Sequence, residues 1–123
     1  MTESKLIDSS VWIDYLVNGN HKEIIELEEI FLLSSISLFE IKKKLLRLNY
    51  KKEDISISLS SIKEKSNILQ VTKEIAETAA EISFEKNMGA VDSIIYETAL
   101  KNNAKLISLD NDFRGLKNTQ ILE

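Results

Sequence analysis

The sequence predicts an α/β fold around a mostly parallel central sheet of about five strands, and three observations carry that expectation. Short apolar runs alternate with amphipathic stretches along the whole chain. The apolar runs are only four or five residues long, the length of buried strands and too short for buried helices. With 123 residues, 43% hydrophobic and 29% charged, the chain matches the size and composition of one hydrophobic core, so residues 1–123 read as a single domain.

Taken in order, the first strand spans 4 to 8 and contains Lys5-Leu6-Ile7 before Asp8. A helix over 10 to 18 follows, whose stripe of Val11, Trp12, Tyr15 and Leu16 fits a core face better than a partner surface. Residues 22 to 29 read as a second helix and 30 to 34 as the second strand. Helices over 36 to 48 and 51 to 65 precede a strand at 67 to 71. Ile75, Ala79 and Ile82 recur at helical spacing in 73 to 87, as do Ile94, Ile95 and Ala99 in 91 to 103. Asn87 to Gly89 and Asn102-Asn103 supply the stops for these two helices. The last strands are 104 to 108 and 119 to 122. Without proline, with three glycines and no low-complexity stretch, there is neither linker nor repeat.

Composition removes several kinds of chemistry. The absence of cysteine excludes disulfides, thiolate nucleophiles and cysteine-type zinc sites. The one histidine, His21, follows the loop Asn18-Gly19-Asn20 and is read as a surface residue before a catalyst. No apolar run approaches the roughly 20 residues of a membrane span, and no basic segment with an apolar core opens the chain. A soluble, cytoplasmic protein is expected. The net charge of -4 argues against a protein that coats nucleic acid.

The acids that matter are set apart by position. Asp8 ends the first strand, Glu40 lies between Leu38-Phe39 and Ile41, Asp92 falls between Ala90-Val91 and Ile94-Ile95, and Asp110 follows Lys105 to Leu109, with Asp112 close behind. Setting these five aside leaves a roughly neutral remainder of +1. Parallel strands present their C-terminal ends along one edge, so Asp8 and Asp110 share an address there. Asp92 is expected in the first turn of its helix, and Glu40 in the first turn after the second strand. Carboxylates gathered in this way repel one another unless protons or a cation neutralise them. Hard oxygen donors suit Mg²⁺ or Mn²⁺.

Each acid also has a purely structural reading. Asp8 or Ser10 could cap the first helix, Ser37-Leu38-Phe39-Glu40 fits a capping box, Asp92 could answer a helix dipole, and Asp110 could make an Asx turn. Four such roles falling at one sheet edge is the less economical account. The basic run Lys42-Lys43-Lys44, Arg47 and Lys51-Lys52 around Tyr50 could steer a polyanion, although charged helix faces are usually just solvated.

The order and wording of the acids resemble a PIN domain, and specifically the VapC-type toxins of toxin–antitoxin pairs. The strongest piece is Leu6-Ile7-Asp8-Ser9-Ser10-Val11-Trp12-Ile13-Asp14-Tyr15-Leu16; Ser34 to Leu45, Gly89-Ala90-Val91-Asp92 and Leu106 to Phe113 are similar to the later blocks. The resemblance covers essentially the whole chain and implies a PIN-like three-layer sandwich. It further implies a metal-dependent endoribonuclease in which Asp8, Glu40, Asp92 and Asp110 bind one or two Mg²⁺ or Mn²⁺ ions. Asp112 is a further candidate, and Ser10 and Ser108 are expected to support the pocket by hydrogen bonding. The implied partners are an RNA substrate, a cognate antitoxin and a second copy of the chain, joined through apolar helix faces near 36 to 65. An RNA-processing nuclease is the alternative on the same scaffold. A phospho-receiver domain lacks its acceptor, since Val71-Thr72-Lys73 stands where that aspartate belongs. A calcium loop starting at Asp110 fails at Arg114 and Ile121.

Overall fold

The structure is a computed structural model that describes residues 3–123. Its five strands are β1 (Lys5–Ile7), β2 (Phe31–Ser34), β3 (Ser66–Leu69), β4 (Lys105–Ser108) and β5 (Thr119–Ile121). The helices are α1 (Ser9–Asn18), α2 (Lys22–Ile25), α3 (Ser35–Arg47), α4 (Lys52–Lys65), α5 (Lys73–Lys86) and α6 (Ala90–Lys101), with a 3₁₀ turn at Asn111–Phe113. The strands lie in the order β3-β2-β1-β4-β5 and every pairing is parallel.

The central strands explain why the sheet needs cover on both faces. In β1 and β4 adjacent apolar residues point opposite ways: Leu6 and Leu106 enter one core with Ile95, Tyr96, Ala99 and Phe113. Ile7 and Ile107 enter the other, with Val11, Trp12, Phe31, Leu33, Ile41 and Ile62. Helices α1, α3 and α4 therefore close one face and α6 the other, with α5 packed on α6. Trp12 is buried in the first core, as its stripe predicts.

Helix boundaries follow local chemistry. Gly19 ends α1 at φ 73, where its N–H reaches the Tyr15 carbonyl at 2.9 Å. Asn87 ends α5 in the same left-handed region. Thr72 caps the start of α5, its Oγ1 accepting from the Ile75 N–H at 3.1 Å.

Most boundaries lie within one or two residues of the sequence reading, the third strand ending at Leu69 rather than 71, and two differences go further. Helix α2 stops at Ile25 rather than 29. Glu26, Glu28 and Glu29 would place negative charge at a helix C-terminus, and two of them are drawn elsewhere: Glu26 accepts from the Tyr15 hydroxyl at 2.8 Å and Glu29 from Lys5 Nζ at 2.7 Å. The capping box at Ser37 does not form, because β2 runs into α3 without a loop and Ser34 takes the cap, accepting from the Ile36 N–H at 3.3 Å. Ser37 is buried inside α3, and Glu40 lies in the second turn rather than the first.

Candidate active site

The strand order reverses direction at β1 and β4, so the two chain segments leaving their C-terminal ends diverge and open a crevice. Asp8 and Asp110 stand at that crevice. Asp8 is only 4% exposed, and its Oδ2 accepts two hydroxyl hydrogen bonds, from Ser10 at 2.7 Å and Ser108 at 2.8 Å. Both hydroxyl hydrogens are thereby committed to the carboxylate. Each serine oxygen in turn accepts a backbone N–H: Ser10 from Leu109 at 3.1 Å and Ser108 from Asp110 at 3.0 Å. The pair of serines thus ties β1, the start of α1 and the segment after β4 into one rigid unit.

Burial pushes the Asp8 carboxyl above its ordinary range, against the lowering effect of the two hydroxyls and the nearby Ser9 and Ser10 amides. Asp8 occupies the N-cap position of α1, yet its side chain makes no capping hydrogen bond there. Its carboxylate is held for the crevice instead.

Glu40 reaches the same region from α3. Ser9 Oγ donates to its Oε1 at 2.8 Å, so adjacent serines serve different acids, Ser9 for Glu40 and Ser10 for Asp8. Glu40 is shifted upward chiefly by burial, with Asp8 and Asp110 adding repulsion. Sequence reasoning named Ser10 and Ser108 and missed Ser9. Its only signal was a second hydroxyl beside the first strand's acid, since the partner lies 31 positions away.

Asp92 sits in the first turn of α6, as the sequence indicates. Its carboxyl oxygen comes within 4.8 Å of oxygens from both Asp110 and Asp112, making the tightest acidic group among the described residues. Burial first, then the charges of Asp110, Asp8, Asp112 and Glu40, push Asp92 up to about 6. Four acids therefore act on Asp92, and two of them, Asp8 and Asp110, also act on Glu40. Asp110 does make the Asx turn open to it, its Oδ1 accepting from the Asp112 N–H at 2.9 Å. That bond orients Asp110 and leaves its second oxygen for the crevice. The structural and chemical readings of Asp110 are compatible.

A basic flank adjoins the acids. Lys43, Lys44 and Arg47 of α3 line a cleft of about 330 Å³ together with Ser9, Phe39 and Glu40. His21 lies away from it, partly buried with Nε2 2.7 Å from Asp14 Oδ2, which assigns the imidazole to the end of α1 rather than to the free surface.

The fold has known counterparts, and the chain belongs to the PIN domain family, whose description matches residues 5–118. The solved structures it resembles include VapBC toxin–antitoxin proteins. A toxin–antitoxin complex from Klebsiella pneumoniae superposes with a TM-score of 0.81 at 20% identity, covering 95% of this chain and 96% of that one. VapBC2 from Rickettsia felis, bound to a DNA fragment from its promoter, gives 0.75 at 20% identity over 97% and 96%. VapC20 from Mycobacterium tuberculosis, a toxin that cleaves the sarcin-ricin loop, gives 0.76 at 17% identity over 98% and 100%. At such identities the likeness is one of fold. A search of curated proteins returned no match. No helix among the described residues is long and apolar enough to cross a membrane.

Proposed function

We propose that this chain is a metal-dependent endoribonuclease and the toxin of a VapBC-type pair, with Asp8, Glu40, Asp92 and Asp110 as the working acids and Asp112 as a fifth. The observation that supports the reading is the close group of Asp92, Asp110 and Asp112, with Asp8 and Glu40 outside it but near enough to help push Asp92 up to about 6 after burial. Buried carboxylates beside other negative charges favour a cation or a proton among them. Oxygens of Asp92, Asp110 and Asp112 within 4.8 Å of one another fit a hard divalent cation such as Mg²⁺ or Mn²⁺. Such an ion, when bound, supplies positive charge, acidifies a water molecule and stabilises a phosphodiester undergoing hydrolysis.

The chain's own residues do the positioning. Ser10 and Ser108 fix the Asp8 carboxylate at one angle and oppose the upward push that burial exerts on its pKa. Ser9 holds Glu40 by one oxygen and leaves the other for a cation or a water molecule. Asp110, turned by its bond to the Asp112 amide, faces Asp92 across the crevice. Neither histidine nor cysteine is needed.

The fold neighbours from toxin–antitoxin complexes support a cognate antitoxin as partner, and RNA is the substrate this reading requires. The decisive experiment incubates purified protein with RNA in Mg²⁺ or Mn²⁺, with and without EDTA, beside Asp8→Asn. Cleavage stopped by EDTA and by Asp8→Asn is expected, and cleavage undiminished after chelation would overturn the mechanism. Expression without an antitoxin separates a toxin from an RNA-processing enzyme: wild type arrests growth and Asp8→Asn does not.

A further inference from the structure

The basic cleft beside Glu40 has a composition that its own fold does not use. Lys43, Lys44 and Arg47 form no ion pair: the pairs among the described residues are Lys5–Glu29, His21–Asp14, Lys105–Glu3 and Arg114–Glu123. Glu40 and Lys44 have the spacing at which helical pairs form readily, yet Glu40 is bonded to Ser9 instead. Three cations without an acidic partner therefore stand at the rim of a site crowded with carboxylates. A polyanion approaching those carboxylates is repelled unless fixed cations flank its path.

An aromatic ring completes the cleft. Phe39, one residue before Glu40, is 59% exposed, and Lys43 Nζ lies 5.6 Å from its ring centroid. Phe39 and Lys43 also border a second, apolar hollow of about 290 Å³ with Lys42 and Leu46. The ring thus stands as a ridge between two hollows, mostly exposed, with the Lys43 ammonium over one face.

We infer that this cleft holds the substrate strand next to the cleaved phosphate, an unpaired base stacking on Phe39 while Lys43, Lys44 and Arg47 take the adjoining phosphates. The inference rests on the nuclease reading above and adds to it the residues that seat the strand. A base inside a duplex keeps both faces stacked and cannot offer one to Phe39. The planar Arg47 guanidinium suits a phosphate fork, and the two lysines act as point charges.

The test measures binding by fluorescence anisotropy, using a labelled single-stranded RNA 12-mer and the same strand annealed to its complement. It is run in EDTA, and in Mn²⁺ with Asp8→Asn to suppress cleavage. Phe39→Ala should weaken single-strand binding by roughly 5- to 150-fold, the range for losing one stacked base, and leave duplex binding within about twofold. Phe39→Tyr should restore it. Lys44→Ala and Arg47→Ala should each lower the slope of log affinity against log salt by about 0.7. Thermal melts check that these exposed variants fold. Wild-type protein that binds neither RNA in either condition overturns the proposal, as does a Phe39→Ala protein with unchanged RNA affinity that instead loses affinity for an antitoxin. Binding that follows these expectations while wild type cuts nothing in Mn²⁺ would keep the cleft and defeat the nuclease reading.

Discussion

Replacing Asp92 with asparagine should make the metal-free protein more stable while removing its activity. The carboxyl is raised from 3.8 to about 6 by burial and by Asp110, Asp8, Asp112 and Glu40. A folded carboxylate with a raised pKa holds its proton more tightly than the unfolded chain does, so stability falls as pH rises. The penalty is absent below 3.8 and complete above about 6. A fully buried group with this shift would cost about 3 kcal/mol at neutral pH, and water screening of a half-exposed carboxylate reduces that to about 1 to 2 kcal/mol. For a domain of this size Asp92→Asn should then melt about 3 to 10 °C higher in EDTA at pH 7.5. The gain should shrink as pH falls through 6 and vanish near 4. Added Mn²⁺ at about 100 times its Kd would stabilise wild type by about 2.7 kcal/mol and the variant by much less. If Asp92 only answers the dipole of α6, the sign reverses to a loss of about 0.3 to 1 kcal/mol with activity intact. Melts of both proteins at several pH values, with EDTA and with Mn²⁺, distinguish the two. A destabilised, fully active variant would refute the electrostatic reasoning.

Two other outcomes follow from the same structure. Ser108→Ala removes a donor to a buried carboxylate, so it should cost about 1.5 to 3 kcal/mol at pH 7 by denaturant unfolding. The loss should lessen below the ordinary aspartate range, where Asp8 is protonated in both folded and unfolded states; a pH-independent loss would mean that Ser108 matters only through packing. Sedimentation at micromolar concentration should give a dimer, joined through apolar helix faces near 36 to 65, where Leu48 and Ile57 are exposed. A monomer at every concentration would end that expectation.

Much of this was legible because strand ends announce themselves. Asp8 follows Leu6-Ile7, and period-two burial in a covered parallel sheet leaves few other ways to place such a strand. Asp92 was equally plain, since Gly89 and the apolar helix beyond it fix the first turn of α6. Glu40 was harder. A real capping residue, Ser34, is separated from a false one, Ser37, by a single helical turn, and only the direct β2–α3 junction decides between them. The choice between Asp110 and Asp112 could not be made from order along the chain, because the Asx turn folds the second acid back beside the first. Nor could the division of labour between Ser9 and Ser10, whose partners lie 31 and two positions away. Side-chain pairing over such separations is a product of tertiary packing, and local pattern does not encode it.

The hydroxyl pair that grips Asp8 joins positions 100 residues apart. A growing chain is made from its N-terminus, so the first acid and its helix exist long before Ser108 and β4 have left the ribosome. Until then Asp8 lacks one of its two hydroxyl donors, Asp110 and Asp112 have not been added, and the β1/β4 crevice has only one wall. No N-terminal fragment that stops before Ser108 can assemble the cluster. Whatever chemistry the acids perform therefore waits for the segment from Ser108 to Asp112, which is made 100 residues after Asp8.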